Sequence, residues 1–164
     1  MKTIALDSPC PCSSSLSYED CCSPLISGKI EAETVAQLMR SRFTAFAIHH
    51  EPYLLQTWDK KTRPKKITFN KEIDWTSLEV VSETKGGLND NRGVVQFKAY
   101  YVLNEVEQVM NEASRFKKSK GKWFYLDGIV KSVNEVDAQQ PLNKGLNAPC
   151  ECGSGKKFKR CCGK

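Results

Sequence analysis

The sequence predicts an α+β fold in which one long helix packs on an antiparallel sheet. Three observations support this prediction. Helical spacing of apolar residues is confined to the first half of the chain, strand-like alternation fills the second half, and cysteine-rich motifs lie at both ends. Strands joined mostly by short turns form antiparallel sheets, and a preceding helix can cover one face of such a sheet. We therefore expect a central domain at residues 29–143 between small motifs at residues 1–28 and 144–164.

The predicted helix begins with a capping box. Thr34 is the expected N-cap, and Gln37 is placed to reach back to the backbone of the preceding turn. A stripe at i, i+3 and i+4 spacing then predicts an amphipathic helix of about four turns, and it comprises Val35, Leu38, Met39, Arg42, Phe43, Phe46 and Ala47. His49 and His50 follow, where a cation would complement the helix dipole. Pro52 is expected to start a second, short helix.

The strand prediction rests on alternation and on turn residues. Residues 75–81, 93–103, 109–117 and 122–130 are the candidate strands, and residues 86–91 and 119–121 are the most turn-like connections. The second strand places Val95, Phe97, Ala99 and Tyr101 on one face. The third places Met110, Glu112, Ser114 and Phe116 on one face.

All eight cysteines belong to two copies of one spacing, C-x-C-x₈-C-C, which are 140 positions apart. Adjacent cysteines bridge each other only with strain, and nothing in the chain indicates export, so metal ligation is favoured over disulfides. Four thiolates form a closed tetrahedral zinc site, although all-sulfur ligation also suits iron. We predict two structural Zn²⁺ sites, whose ligands are Cys10, Cys12, Cys21 and Cys22 in the first copy and Cys150, Cys152, Cys161 and Cys162 in the second.

The two copies differ around their cysteines. Each has an aromatic residue, Tyr18 or Phe158, six positions after its second cysteine, where it is expected to pack over the sulfurs. Gly153 and Gly155 suit a loop with positive φ close to a metal. The first copy has serines there, Ser13 and Ser15, and it lacks the lysine pair of the second copy.

Charge and hydropathy limit the function classes. No apolar run approaches the length needed to cross a bilayer, and Asp7 and Pro9 interrupt what would be the apolar part of a signal peptide. We therefore expect a cytoplasmic protein. The formal net charge of the chain is +6, and two tetrathiolate zinc sites would lower it to +2. Before that correction, residues 144–164 carry +5 and residues 1–24 carry −2.

The second copy resembles a known zinc-binding motif. Cys150-x-Cys152-Gly-Ser-Gly-Lys-Lys-Phe-Lys-Arg-Cys161-Cys162 is similar to the SEC-C motif in the tail of the SecA translocation ATPase. Such motifs at both termini, together with residues 38–46 and 123–128, resemble the bacterial YchJ family. That resemblance implies a central domain similar to nuclear transport factor 2, with a long helix lying in a curved antiparallel sheet. It implies no particular activity.

The resemblance also suggests a docking role. In SecA the related tail contacts the SecB chaperone and is linked to ribosomes and anionic lipid. By resemblance, the basic C-terminal motif is expected to bind a protein partner, with RNA, ribosome or anionic lipid as further candidates. The residues expected to make that contact are Lys156, Lys157, Lys159 and Arg160. The alternative is that they only solvate the surface and offset the negative metal site.

A second hypothesis places function in the central domain, as a small-molecule-binding protein or an enzyme. Arg42 lies on the apolar stripe of the helix, and a buried arginine needs a partner, for which Glu112 and Asp127 are candidates. Either a structural ion pair joins helix and sheet, or a cavity is lined by Arg42, Tyr101 and Glu112. No catalytic residue is nominated, because the sequence suggests no pairing of a nucleophile with a base.

Overall fold

The structure, a computed structural model, describes residues 1–136 of the 164-residue chain. The predicted C-terminal metal site and basic motif lie outside the described residues. The helices are α1 (Ser23–Ile26), α2 (Val35–Ala47) and α3 (Glu51–Gln56). The strands are β1 (Asp74–Lys85), β2 (Arg92–Leu103), β3 (Val106–Ser119) and β4 (Lys122–Glu135). They form one antiparallel sheet in the order β1-β2-β3-β4, which confirms the α+β class.

Helix α2 begins as the capping pattern predicts. The Thr34 side chain accepts a hydrogen bond from the Gln37 backbone N–H at 3.3 Å. The Gln37 side chain reaches back one residue further than expected and accepts from the Glu33 backbone N–H at 2.7 Å. The first of these bonds satisfies a donor that the first turn of the helix leaves unpaired, and the second fixes the residue before the N-cap. The helix is 13 residues long, and Val35, Leu38, Met39 and Phe43 are buried along its inner face.

The two histidines act differently from the prediction. His49 has a positive φ of 58° and stacks on Phe69. Partial burial, together with nearby Lys2, lowers the pKa of His49, which disfavours the dipole-compensating cation that was expected there. His50 instead caps α3, because its Nδ1 accepts from the Tyr53 backbone N–H at 3.2 Å.

The strands are longer than the sequence indicated. Each strand extends beyond its predicted range, and the predicted inward faces of β2 and β3 are confirmed. Lys120 and Gly121 form the predicted β3–β4 turn, with φ values of 51° and 78°. Register shifts interrupt the β1–β2 and β3–β4 ladders at two places each. Such bulges bend strands and increase their twist.

One hydrophobic core joins the N-terminal segment to the central domain. Cys10, Cys12 and Cys22 belong to the same buried cluster as residues of α2 and of the sheet. The N-terminal motif therefore has no separate core within residues 1–136. In that part of the chain, no helix is long and apolar enough to cross a membrane.

Candidate metal centre and central cavity

The N-terminal cysteines are positioned by a closed loop. Cys10 N–H donates to Leu16 O at 2.9 Å, and Ser13 N–H donates to Cys10 O at 3.0 Å, which turns the chain around the C-x-C pair. The Tyr18 carbonyl then accepts from the Cys21 backbone N–H, and Cys22 is the N-cap residue of α1. The second cysteine pair therefore lies just before a helical turn rather than on it.

The four thiols form a compact cluster, called the cysteine cluster below. Their Sγ atoms all lie within 4.8 Å of one another. Cys12 Sγ and Cys21 Sγ are 3.5 Å apart, and Cys21 Sγ and Cys22 Sγ are 3.7 Å apart. A tetrahedral Zn²⁺ with Zn–S bonds of about 2.3 Å separates its sulfurs by about 3.8 Å. The donor set and its spacing therefore fit such an ion.

The environment of the sulfurs also suits a buried cation. Hydrogen bonds from Cys10 and Cys22 hold the pKa of Cys12 well below its usual range. The pKa of Cys22 is raised by its hydrogen bonds to Cys10 and Cys12 and by burial. The neighbouring thiols thus stabilise one thiolate, at Cys12, and disfavour the loss of a second proton. A bound divalent cation makes that loss favourable, because thiols that coordinate such an ion are deprotonated.

Side chains around the loop support the cluster. Ser14 Oγ donates to Cys21 Sγ at 3.1 Å. Tyr18 is buried, as the sequence predicted. Burial and the adjacent sulfurs of Cys22 and Cys10 raise the pKa of Tyr18.

The cluster is fastened to the central domain by three polar contacts. Arg40 Nη1 on α2 donates to the Cys12 carbonyl at 2.9 Å. Cys10 Sγ lies 3.7 Å from Thr44 Oγ1 on the same helix. Leu78 N–H on β1 donates to Ser13 Oγ at 3.3 Å. The cluster is therefore held between α2 and β1.

The second feature is a partly enclosed cavity of about 240 Å³ between α2 and the sheet. Its walls are almost entirely apolar or aromatic, and the charged groups that reach it are Arg42 and Glu112. The lining comprises Met39, Arg42, Phe43 and Phe46 of α2, Trp58, Trp75 of β1, Phe97 and Ala99 of β2, Met110, Glu112 and Ser114 of β3, and Tyr125 of β4.

Arg42 is almost completely buried, at 2% exposure. Its Nη1 donates to Leu54 O at 2.8 Å and to Thr57 Oγ1 at 2.7 Å. Its guanidinium carbon lies 4.4 Å from the ring centre of Tyr125 and 5.2 Å from that of Trp58. Burial lowers the pKa of Arg42 to about 10, so the side chain remains a cation at neutral pH.

Glu112 is the acidic group of the cavity. Its Oε1 accepts from Ser114 Oγ at 2.8 Å. Burial raises the pKa of Glu112, although Ser114 and the charge of Arg42 act in the opposite direction. Its carboxylate occupies space that Gly128 on β4 leaves free, since a Cβ at that position would lie 2.0 Å from Glu112 Oε1.

The predicted partners of Arg42 were wrong. No side-chain nitrogen of Arg42 lies within 4.0 Å of a Glu112 carboxylate oxygen, so no ion pair joins the two within residues 1–136. Asp127 points to the other face, where it pairs with Arg115, its neighbour across the β3–β4 ladder. Backbone and hydroxyl acceptors next to α3, together with two aromatic rings, provide the environment of Arg42 instead.

Tyr101 was also placed wrongly in the cavity. It is buried as predicted, but it is absent from the lining, packs against Trp75 and donates to Gln108 Oε1 at 2.9 Å.

Sequence reasoning missed Trp58 and Tyr125 as cavity residues. Tyr125 lay within a predicted strand, so its aromatic ring was a usable signal. Trp58 was expected on the short helix begun by Pro52, but it lies beyond the end of α3 at Gln56.

These features define a class of protein: an α+β domain with a cavity under its main helix and an N-terminal tetrathiol centre. The chain belongs to the family described as "YchJ, middle NTF2-like domain", whose profile matches residues 34–128. The SEC-C motif matches residues 147–164. A SEC-C motif at residues 1–28 stays a prediction, and what the structure shows there is the four-cysteine cluster described above.

Relatives match over most of the chain. A UPF0225 protein of Photorhabdus laumondii is 37% identical over 94% of this chain and 98% of its own length. A UPF0225 protein of Corynebacterium glutamicum is 43% identical over 74% of this chain and 96% of its own length.

Solved structures agree with the fold. A SEC-C motif containing protein from Psychrobacter arcticus, solved by crystallography, has a TM-score of 0.64 and 32% identity, covering 96% of this chain and 97% of its own. A SEC-C motif containing protein from Rhodopseudomonas palustris, solved in solution, has a TM-score of 0.66 and 30% identity, covering 76% of this chain and 100% of its own.

Proposed function

We propose that this protein is a zinc-binding protein in which the cysteine cluster holds a structural Zn²⁺. The observation that carries the proposal is the approach of four sulfurs to within 4.8 Å in a largely buried site. Four thiolates leave no coordination position open, which is the arrangement of structural rather than catalytic zinc. The ion would stabilise the fold by fixing the N-terminal loop against α2 and β1.

The proposal extends to a second site formed by Cys150, Cys152, Cys161 and Cys162. Its support is the repeated spacing and the SEC-C match at residues 147–164. Ferrous iron also accepts four thiolates, so zinc is the preferred ion on the basis of its abundance in closed tetrathiolate sites.

Elemental analysis of the full chain tests both sites. We expect two metal equivalents per chain in the wild type, and one in each of the single-site variants Cys12→Ser and Cys152→Ser. At both sites the zinc content should exceed the iron content. A wild-type metal content near zero in protein purified without chelators would refute the proposal.

We further propose that the C-terminal motif is a docking element, in keeping with a non-catalytic adaptor. The support is charge: residues 144–164 carry a formal +5 in a chain whose formal net charge is +6. Such an element would bind an acidic protein surface through Lys156, Lys157, Lys159 and Arg160, and that contact would weaken with salt. RNA, ribosome and anionic lipid are the competing partners.

The docking proposal is tested by removing charge without removing metal. A variant with alanine at these four basic positions should retain zinc and lose its partners in a quantitative pull-down. The matched control replaces Lys60, Lys61, Lys65 and Lys66, four basic residues of the connector after α3. An unchanged partner profile in the C-terminal variant would refute docking, and loss of RNA or lipid instead of protein would identify a different partner.

A further inference from the structure

We propose that the central cavity binds a small, neutral aromatic molecule whose single polar head group both accepts and donates hydrogen bonds, as a carboxamide does. The cavity has a volume of about 240 Å³, and a designed cavity of about 150 Å³ is enough to hold benzene. A one-ring or compact two-ring molecule therefore fits. The inference concerns the central domain and is independent of the metal and docking proposals.

The walls determine the body of the ligand. Nine of the twelve lining residues are apolar or aromatic, including Phe43, Phe97 and Trp75. A planar aromatic body gains favourable edge and face contacts with such rings in addition to the burial of apolar surface. A flexible polar molecule would lose its hydration and gain few partners there.

The donors come from Arg42. In the described residues its hydrogen bonds use Nη1 alone, although a guanidinium carries five N–H groups in one plane. The N–H groups on Nε and Nη2 remain for a ligand. They lie in the guanidinium plane, so a planar acceptor such as a carbonyl matches them best. Trp58 Nε1 is a further buried N–H of the cavity wall, and it has no acceptor within residues 1–136.

The acceptor comes from Glu112. Its Oε1 is used by Ser114, while no donor to Oε2 is found among the described residues. Among the described residues Trp58 Nε1 is the one fully buried side-chain N or O atom without a partner, so Oε2 keeps some solvent access and is open to a ligand. A ligand N–H directed at Glu112 would satisfy this carboxylate.

The separation of the two charges determines the net charge of the ligand. Arg42 and Glu112 line the same cavity without an ion pair within 4.0 Å, so the two groups do not neutralise each other directly, and a head group that touches both would bridge them. With Glu112 ionised, the two charges are opposite and equal. A neutral head group bridges the two without adding an uncompensated charge to a low-dielectric space, whereas an anion or a cation adds one.

Three nearly isosteric probes test this inference on the zinc-loaded full chain: benzamide, which is neutral, benzoate, which is an anion, and benzamidinium, which is a cation. Each is titrated while the backbone and tryptophan side-chain NMR signals are followed. We expect benzamide to bind at least tenfold more tightly than either charged probe, with shifts centred on Trp58 and Arg42. Tighter binding of benzoate or benzamidinium, or no binding of benzamide, would overturn the proposal.

Two variants locate the binding. Ala99→Leu fills the cavity and should abolish benzamide binding, whereas Ala113→Leu, at a β3 residue that does not line the cavity, should leave it unchanged. If Ala99→Leu fails to fold, Glu112→Gln gives a separate test. It removes the negative charge and retains an acceptor for Ser114, so benzoate affinity should rise at least tenfold. Unchanged benzoate affinity in Glu112→Gln would refute the bridging geometry.

The metal content of each variant separates this inference from the zinc proposal. Ala99→Leu and Glu112→Gln should carry as much zinc as the wild type, because neither side chain hydrogen-bonds to a cysteine of the cluster in the described residues. Loss of benzamide binding with intact zinc in Ala99→Leu supports the cavity alone. Benzamide binding that is unaffected by Ala99→Leu refutes the cavity even when both metal sites are full.

Discussion

Two serines in the cysteine loop adopt a conformation that glycine would adopt more easily. Ser13 and Ser15 have φ values of 58° and 68°. The aligned residues of the C-terminal copy are Gly153 and Gly155, so comparing the copies had indicated a positive φ at these positions. A side chain in the left-handed region costs about 1 kcal/mol relative to glycine. The N-terminal loop therefore tolerates strain at two positions.

This strain predicts a stabilising substitution. Ser15 is exposed and its side chain makes no hydrogen bond in the described residues, so Ser15→Gly should raise the free energy of unfolding by up to about 1 kcal/mol. Urea denaturation of the zinc-loaded chain measures the change. Ser13→Gly is the comparison, and it should gain less because Ser13 Oγ accepts from Leu78 N–H. Destabilisation by Ser15→Gly would contradict the strain argument.

Gly128 controls the position of the Glu112 carboxylate. A Cβ there would meet Glu112 Oε1 at 2.0 Å. Gly128→Ala should therefore destabilise the fold by roughly 1–3 kcal/mol, the usual cost of overpacking. Urea denaturation measures it.

Two controls accompany the Gly128 prediction. Gly87→Ala should be nearly neutral, since its Cβ would find Asp90 Oδ2 at an ordinary 3.6 Å. In a Glu112→Ala background, Gly128→Ala should lose most of its cost. An equal cost in both backgrounds would show that the clash with Glu112 is not the cause.

At the scale of elements, α2 performs two tasks with different faces. Met39, Arg42 and Phe43 line the cavity, while Arg40 and Thr44 contact the cysteine loop. The helix therefore couples the metal centre to the central domain. The apolar spacing in the sequence predicted the face of α2 that lines the cavity. The contacts of the other face with the cysteine loop were not predictable, because they depend on where the N-terminal loop packs in the fold.

The coupling through Arg40 is testable. Arg40→Ala removes a charged donor from the Cys12 carbonyl, a bond worth about 1–3 kcal/mol. We expect faster transfer of zinc from the cysteine cluster to a chromogenic chelator, measured as a rate in a Cys152→Ser background that isolates this site. Arg63→Ala is the matched control. Arg63 lies in the connector after α3, and its Nη1 also donates to a backbone carbonyl, that of Leu55. Equal rates in the two variants would contradict the coupling.

The strands show what sequence patterns can and cannot predict. Alternation identified the inward faces of β2 and β3, because side chains in strands point to opposite faces in turn. Register was not predictable from one strand alone. Tyr101 pairs with Gln108 and Phe97 pairs with Glu112, which separates Tyr101 from the acidic group by four positions, or about 14 Å. The same uncertainty misplaced Asp127, which lies opposite Arg115.

At the scale of the whole molecule, the N-terminal motif is part of the main core. Eight cysteines in two identical spacings were enough to nominate the metal ligands, because spacing is read directly from the chain. The burial of Cys10, Cys12 and Cys22 among residues of α2 and the sheet required the tertiary fold. A site expected to stabilise a small appendage is therefore placed to stabilise the central domain as well.

Thermal unfolding of the zinc-loaded full chain, followed by tryptophan near-ultraviolet circular dichroism, tests this claim most directly. Cys12→Ser, or chelation of the wild type, should lower the Tm of the central domain by more than about 5 °C, because each 1 kcal/mol shifts Tm by roughly 2–4 °C at this size. Cys152→Ser is the matched control and should leave that transition unchanged. An unchanged Tm in Cys12→Ser, with one metal equivalent lost, would contradict the account.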